Sequence, residues 1–204
     1  MKLAHLKIST RLILGFSALA ALMALLGAAA MYHLHSIDKQ FDSVMEDRYP
    51  TLQIAGEIKG VNNEVSQAIR NLFVVSDPDD IKAQYDLIAG SSKRTSANID
   101  KLTKMITSDA GKAALAKLNT ARAEYRAPRD KVIELLKTGR SEEAKNVLLL
   151  DLRPKQVAYM DRLEDLIKLQ EKMMVQSGEE VNRTVEQAKT AIVTLLVIAG
   201  VFAL

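Results

Sequence analysis

Cysteine and tryptophan are absent from this 204-residue chain, and aromatic residues make up only 4% of it. Glycine and proline are scarce too, with nine and four residues. β-Sandwiches and barrels need many turns and strands rich in aromatic and β-branched residues, so this composition argues against both. The missing cysteines exclude disulfide bonds and cysteine-ligated metal sites. We therefore expect an all-α protein.

The chain also lacks a strong charge of either sign, with a formal net charge of +3. That excess comes from Lys2, Lys7 and Arg11, which are the only charged residues before Asp38. The other 25 basic and 25 acidic residues cancel. A neutral domain has no electrostatic basis for binding nucleic acid, so we expect no nucleic-acid partner.

An uncharged segment follows the basic N-terminus and covers residues 12–32. At about 1.5 Å per residue, a helix of this length spans the ~30 Å hydrocarbon core of a bilayer. The positive-inside rule places residues 1–11 in the cytoplasm and the chain after residue 32 outside. A cleaved signal peptide is the alternative, because residues 28–30 are alanines that could serve at a cleavage site.

A second uncharged segment covers residues 191–204, where the sequence ends. A spanning helix needs about 20 residues, so we interpret this segment as the start of a truncated second transmembrane helix. The alternative is a buried end of a soluble helix. Between the two segments, residues 33–190 form a predicted domain outside the membrane.

Three breaks divide the middle of the chain, at Asp77-Pro78, at residues 108–111 and at residues 138–141. Each break carries helix-capping residues or glycine, and at the third we expect Gly139 to end one helix and Ser141 to cap the next. The predicted helices cover 33–75, 79–106, 110–138 and 141–190. Each has apolar residues at heptad spacing, among them Leu34, Phe41, Ile58, Ile99 and Leu118. Long helices joined by short loops pack antiparallel, which predicts an up-down-up-down four-helix bundle flanked by two transmembrane helices, the second truncated.

Several polar residues interrupt the apolar heptad positions. The third predicted helix has Arg122, Tyr125 and Arg129 on its core-facing side. Two of the predicted loops lie at the same end of the bundle, and four positions each lie 13 residues along their helix from one of these loops. We therefore expect the four positions to form one layer. These positions are Asn62, Ser92, Arg126 and Pro154.

Arginine stays protonated under ordinary conditions, and few carboxylates share the core-facing positions. We therefore expect Arg122 and Arg129 to lack a partner within the bundle. Arginine, tyrosine and hydroxyl side chains suit a small anion such as a carboxylate. The alternative is that the arginines pair with Glu57, Glu64, Glu124 or Asp151, or that the polar layer only fixes helix register. The predicted ligand-binding residues are Arg122, Tyr125, Arg129, Ser92, Thr95, Asn62, Ser91 and Arg126.

Signals for other chemistry are missing. The three histidines, His5, His33 and His35, lie near the first apolar segment and form no metal-ligand pattern. Nucleophile elbows and phosphate-binding loops do not occur in the sequence. We therefore expect neither an enzyme, nor a metal site, nor a cofactor.

The layout resembles the N-terminal half of a bacterial methyl-accepting chemotaxis protein. Its local features are Lys-Ile-Ser-Thr-Arg-Leu at 7–12, Asp77-Pro78, and Gly-Arg-Ser-Glu-Glu-Ala at 139–144. The spacing of Arg122, Tyr125 and Arg129 is similar to that of bundle-type receptors for citric-acid-cycle carboxylates such as citrate and malate. The resemblance implies a homo-oligomer, specifically a dimer, in the inner membrane. It also implies that the bundle is periplasmic and signals to a histidine kinase through a C-terminal part.

Two other functions fit the same sequence. One is the sensor half of a histidine kinase or nucleotide-cyclase receptor. The other is a membrane-tethered structural bundle that binds no ligand. Binding of di- and tricarboxylates distinguishes the receptors from the structural bundle.

Overall fold

The computed structural model describes residues 7–203, which contain helices and no strands. The all-α prediction is therefore confirmed. The basic residue Lys2 and the terminal Leu204 lie outside the described residues. Six α-helices and two π-helical segments follow one another in the order α1 (Ile8–Asp42), first π segment (Ser43–Arg48), α2 (Tyr49–Asn71), α3 (Pro78–Met105), α4 (Asp109–Lys137), α5 (Ser141–Val147), second π segment (Leu148–Leu152) and α6 (Arg153–Ala203).

The helix boundaries follow from local chemistry at the three predicted breaks. Asp77 Oδ1 accepts hydrogen bonds from the backbone N–H groups of Asp79 and Asp80, and Pro78 is the first residue of α3. The Ser108 hydroxyl accepts from the Gly111 N–H and caps α4. These side chains satisfy N–H groups that have no partner within the helix.

Gly139 ends α4 with a φ of 72°, a conformation that glycine adopts without steric cost. Its N–H donates to the Leu136 carbonyl, and the Arg140 N–H donates to the Leu135 carbonyl. The expectation that Ser141 caps the next helix is wrong. Ser141 is the first residue of α5, and the capping position belongs to Arg140, whose side chain makes no capping bond.

Each π-helical segment lies just before a proline, Pro50 in one case and Pro154 in the other. Proline has no N–H and its ring clashes with the carbonyl four residues earlier, so the preceding turn is pushed open. Pro128, by contrast, lies within the continuous helix α4. The heptad pattern predicts unbroken helices over 33–75 and 141–190, and this prediction is wrong at the two π segments.

The chain divides into two compact units. One unit contains the described residues up to Val44 together with those from Val175 onward, and the other is Met45–Met174. The Met45–Met174 unit is the four-helix bundle, formed by α2, α3, α4 and the α5–α6 stretch. Its fully buried side chains include Ile58, Leu102, Leu118, Val132, Leu152, Leu163 and Leu166.

Most predicted heptad positions within Met45–Met174 are buried, including Ile58, Ile99 and Leu118. The prediction fails for Leu34 and Phe41, which are 63% and 60% exposed. Both lie in the other unit, where two helical segments cannot cover every face of each other. Apolar positions there meet the heptad pattern without forming a core.

Two helical stretches are long and apolar enough to cross a membrane. One runs from Leu12 to Asn71 across the first π segment, and the other runs from Ser141 to Val201. The most apolar part of each is not buried within the chain. This finding fits the two predicted membrane segments.

The cap of α3 gives a first testable prediction. Replacing Asp77 with alanine removes the acceptor for two N–H groups, and we expect a loss of about 1 kcal/mol in the free energy of unfolding. Urea titration followed by near-ultraviolet circular dichroism of the tyrosines measures the change. Asp77→Asn retains the capping oxygen and should be close to the wild type. Equal stability of Asp77→Ala and the wild type would show that the cap contributes nothing.

Candidate functional site

One small cavity in the bundle brings together all eight predicted site residues. The structure adds three more lining residues, which are Val65, Ser96 and Tyr159. The cavity has a volume of about 50 Å³. That volume admits a few water molecules, so any larger occupant needs the lining side chains to move.

All four sides of the bundle contribute to the cavity wall. Helix α2 supplies Asn62, whereas α3 supplies serine and threonine side chains at four positions and α4 supplies three arginines and a tyrosine. Helix α6 contributes Tyr159. The wall is therefore strongly cationic on α4 and hydroxyl-rich on the facing α3.

Arg122 and Arg126 are the cavity arginines without an ion pair in the described residues, and Arg122 is the more buried of the two. Its half-buried guanidinium donates a 2.8 Å hydrogen bond to Ser96 Oγ and forms no ion pair with a described residue. Burial lowers the pKa of Arg122, and the positive charges of Arg126 and Arg129 lower it further. Because these surroundings disfavour the charged form of Arg122, an anion bound beside it stabilises that charge.

Arg129 differs from Arg122 because it has a carboxylate partner within the bundle. Two of its nitrogens, Nε and one terminal nitrogen, donate to Asp130 Oδ1 at 2.9 and 2.7 Å. The expectation that both Arg122 and Arg129 lack an internal partner is wrong for Arg129. The reason is local, because the neighbouring carboxylate reaches back along the surface of α4. The Arg129 guanidinium also lies over the Tyr125 ring, 5.8 Å from the ring centroid.

The four acidic residues considered as alternative partners do not neutralise the site. Glu57 accepts from Asn98, Glu64 pairs with Arg94, and Glu124 pairs with Lys155. In the described part of the chain, neither these three nor Asp151 forms an ion pair with Arg122 or Arg129. None of these four residues therefore compensates Arg122 or Arg129 through an ion pair, and the carboxylate that acts on the pKa of Arg122 is Asp100.

The hydroxyl groups of α3 are already used as donors. Ser92, Thr95 and Ser96 each donate to the backbone carbonyl four residues earlier, at 2.9 to 3.1 Å. The Asn62 amide approaches Met160 Sδ at 3.1 Å. Ser91 is almost fully buried and accepts from Arg94. In this arrangement, the strongest donors facing the cavity are the arginines.

Two stacked tyrosines close the cavity on the side of α6. The rings of Tyr125 and Tyr159 lie 5.5 Å apart and nearly parallel, and both residues are buried. The Tyr159 hydroxyl is buried and has no hydrogen-bond partner among residues 7–203. Such groups are rare in native proteins and need an explanation.

The prediction that Pro154 lies in the polar layer is wrong. Tyr159, which was not predicted, lines the cavity from the same helix. Pro154 lies instead in an outer groove with Glu124 and Pro128. The count of 13 residues assumed a regular helix, whereas the second π segment intervenes between Ser141 and the layer. A signal for Tyr159 was available, because it precedes Leu163, Leu166 and Gln170 at heptad spacing.

Residues 7–203 contain no group of three or more histidine or acidic side chains that could hold a metal ion. The arrangement offers positive charge and hydrogen-bond donors. Chemically, it can hold a small anion.

The burial of Tyr125 and Tyr159 predicts how the stability of the bundle depends on pH. Burial raises the pKa of both Tyr125 and Tyr159 to about 12. In the unfolded chain both phenols ionise near the ordinary value of about 10, so they favour unfolding above that pH. We expect stability from these groups to be complete below about pH 10 and to fall as the pH approaches 12. Ultraviolet titration should show two late-ionising tyrosines, and each Tyr→Phe variant should remove one. Ionisation of all tyrosines near pH 10 would contradict their burial.

Comparison with known protein families gives a match that covers most of the chain. A family model described as a four helix bundle sensory module for signal transduction matches residues 5–185. No curated protein matches the chain. The match includes every residue that lines the cavity, and its description names no ligand.

Proposed function

Because the chain belongs to the four-helix-bundle sensory modules of methyl-accepting chemotaxis proteins, we propose that it senses a small carboxylate, such as citrate or malate, in the cavity of its bundle. The observation that carries the proposal is the Arg122 guanidinium, which is half-buried and has no ion-pair partner in the described part of the chain. Burying a cation is costly unless an anion compensates it.

The charges of the cavity favour a dianion. Arg122, Arg126 and Arg129 supply three positive charges, and Asp130 offsets the one on Arg129. Two charges remain for a ligand. Arginine forms paired hydrogen bonds with carboxylates, which suits a short diacid lying along α4.

The small volume of the cavity links binding to a conformational change. A space of about 50 Å³ does not hold a four-carbon diacid, so the ligand enters only if side chains or helices move apart. A ligand shifts an equilibrium toward the arrangement that it binds better. Binding in the expanded arrangement is therefore the physical basis we propose for signalling.

The proposed role of the whole receptor follows from the family. The bundle lies in the periplasm between two spans of the inner membrane, the receptor is a homodimer, and a C-terminal part passes the signal to a histidine kinase. In this proposal the protein is not an enzyme, since the cavity presents cations and hydroxyl groups without an activated nucleophile.

Calorimetry of the full chain in lipid nanodiscs tests the proposal. We expect citrate or malate to bind with measurable heat, whereas the uncharged diamide of malate should not bind. Absence of heat with every di- and tricarboxylate tried would overturn the proposed ligand class.

A further inference from the structure

The Tyr159 hydroxyl has no role in holding the bundle together. It is buried, and no group among residues 7–203 forms a hydrogen bond with it. Other hydroxyls of the cavity wall differ, because Ser92, Thr95 and Ser96 each donate to a helix carbonyl. A buried phenol without a partner costs free energy, which is recovered only if something else accepts its hydrogen bond.

The position of Tyr159 indicates what that acceptor is. Its phenol lies close enough to both Arg122 and Arg129 for their charges to act on it, and all three residues line the cavity. An anion that contacts both guanidinium groups comes within reach of this hydroxyl. Since burial raises the pKa of Tyr159 to about 12, the phenol keeps its proton at neutral pH and can donate it.

We propose that Tyr159 is the specificity-determining residue of the cavity, and that its phenol donates a hydrogen bond to an oxygen substituent carried between the two carboxylates of the ligand. The preferred ligand is then a hydroxy or oxo diacid and not a plain alkane diacid. This inference rests on the proposed function. A plain diacid leaves the phenol unpaired, and sites with unpaired polar groups reject such analogues strongly.

L-Malate and succinate provide a matched pair of probes, because they have the same chain length and charge and differ by one hydroxyl group. Calorimetric titration of the wild-type chain in nanodiscs should give a Kd for L-malate at least about tenfold lower than for succinate. Tyr159→Phe should weaken L-malate binding roughly tenfold and leave succinate binding unchanged. Loss of the hydroxyl should not lower the Tm, because it has no partner in the ligand-free chain.

Tyr85→Phe is the control, since Tyr85 lies outside the cavity and contacts Lys137. It should change neither affinity. The inference is overturned if Tyr159→Phe weakens both ligands equally, if it weakens neither, or if the wild type binds succinate as tightly as L-malate. Arg122→Ala separates the two levels of the argument. If it abolishes binding of both acids while Tyr159→Phe fails to discriminate, only the role of Tyr159 is wrong, whereas unchanged binding in Arg122→Ala removes the proposed function too.

Discussion

Arg122→Ala should weaken carboxylate binding by roughly a hundredfold, equivalent to about 3 kcal/mol. Arg122 is partly buried in the cavity wall and has no ion-pair partner in the described residues, so a bound carboxylate loses a major counter-charge in this variant. Calorimetry of wild type and variant in nanodiscs measures the change. Stability should not fall, because the variant also removes a cation whose burial is unfavourable.

Two further variants sharpen this experiment. Arg122→Lys keeps the charge and loses the paired geometry, so we expect an intermediate affinity. Arg162→Ala removes an exposed arginine that pairs with Asp165 outside the cavity, and it should bind like the wild type. If Arg122→Ala and Arg162→Ala bind equally well, the ligand does not occupy this cavity.

Leu163→Ala should cost about 2 to 5 kcal/mol of unfolding free energy. Leu163 is fully buried in the core of the Met45–Met174 unit, and truncation leaves a cavity between tightly packed side chains. Chemical unfolding followed through the near-ultraviolet signal of the stacked tyrosines reports on this unit specifically.

Leu150→Ala is the matched control for Leu163→Ala. Its side chain is 73% exposed in the second π segment, so its removal should cost less than about 1 kcal/mol. Similar losses for the two variants would mean that Leu163 is not part of a packed core.

The sequence predicted those parts of the fold that depend on local rules. Helix ends at Asp77, Ser108 and Gly139 were recognisable because capping side chains and a positive φ have strong residue preferences. The convergence of Arg126, Ser92 and Asn62 followed from counting residues along antiparallel helices. Such counts are reliable as long as every turn is α-helical.

Features that depend on tertiary detail were not predictable. Tyr159 occupies the place assigned to Pro154, and the count along this stretch assumed α-helical turns throughout, which the second π segment interrupts. The ion pair of Arg129 was not predicted, because its sequence neighbour Asp130 was not considered as a partner. Heptad spacing at Leu34 and Phe41 indicated a core, although their unit leaves both exposed.

A structure of the chain crystallised with L-malate tests the central claim most directly. The account predicts one diacid inside the bundle, with a carboxylate oxygen about 2.7 to 2.9 Å from a guanidinium nitrogen of Arg122 and the second carboxylate near Arg126 or Arg129. It also predicts a cavity larger than in the ligand-free chain. A ligand bound elsewhere, with Arg122 still bonded to Ser96 and the cavity unchanged, would contradict the account.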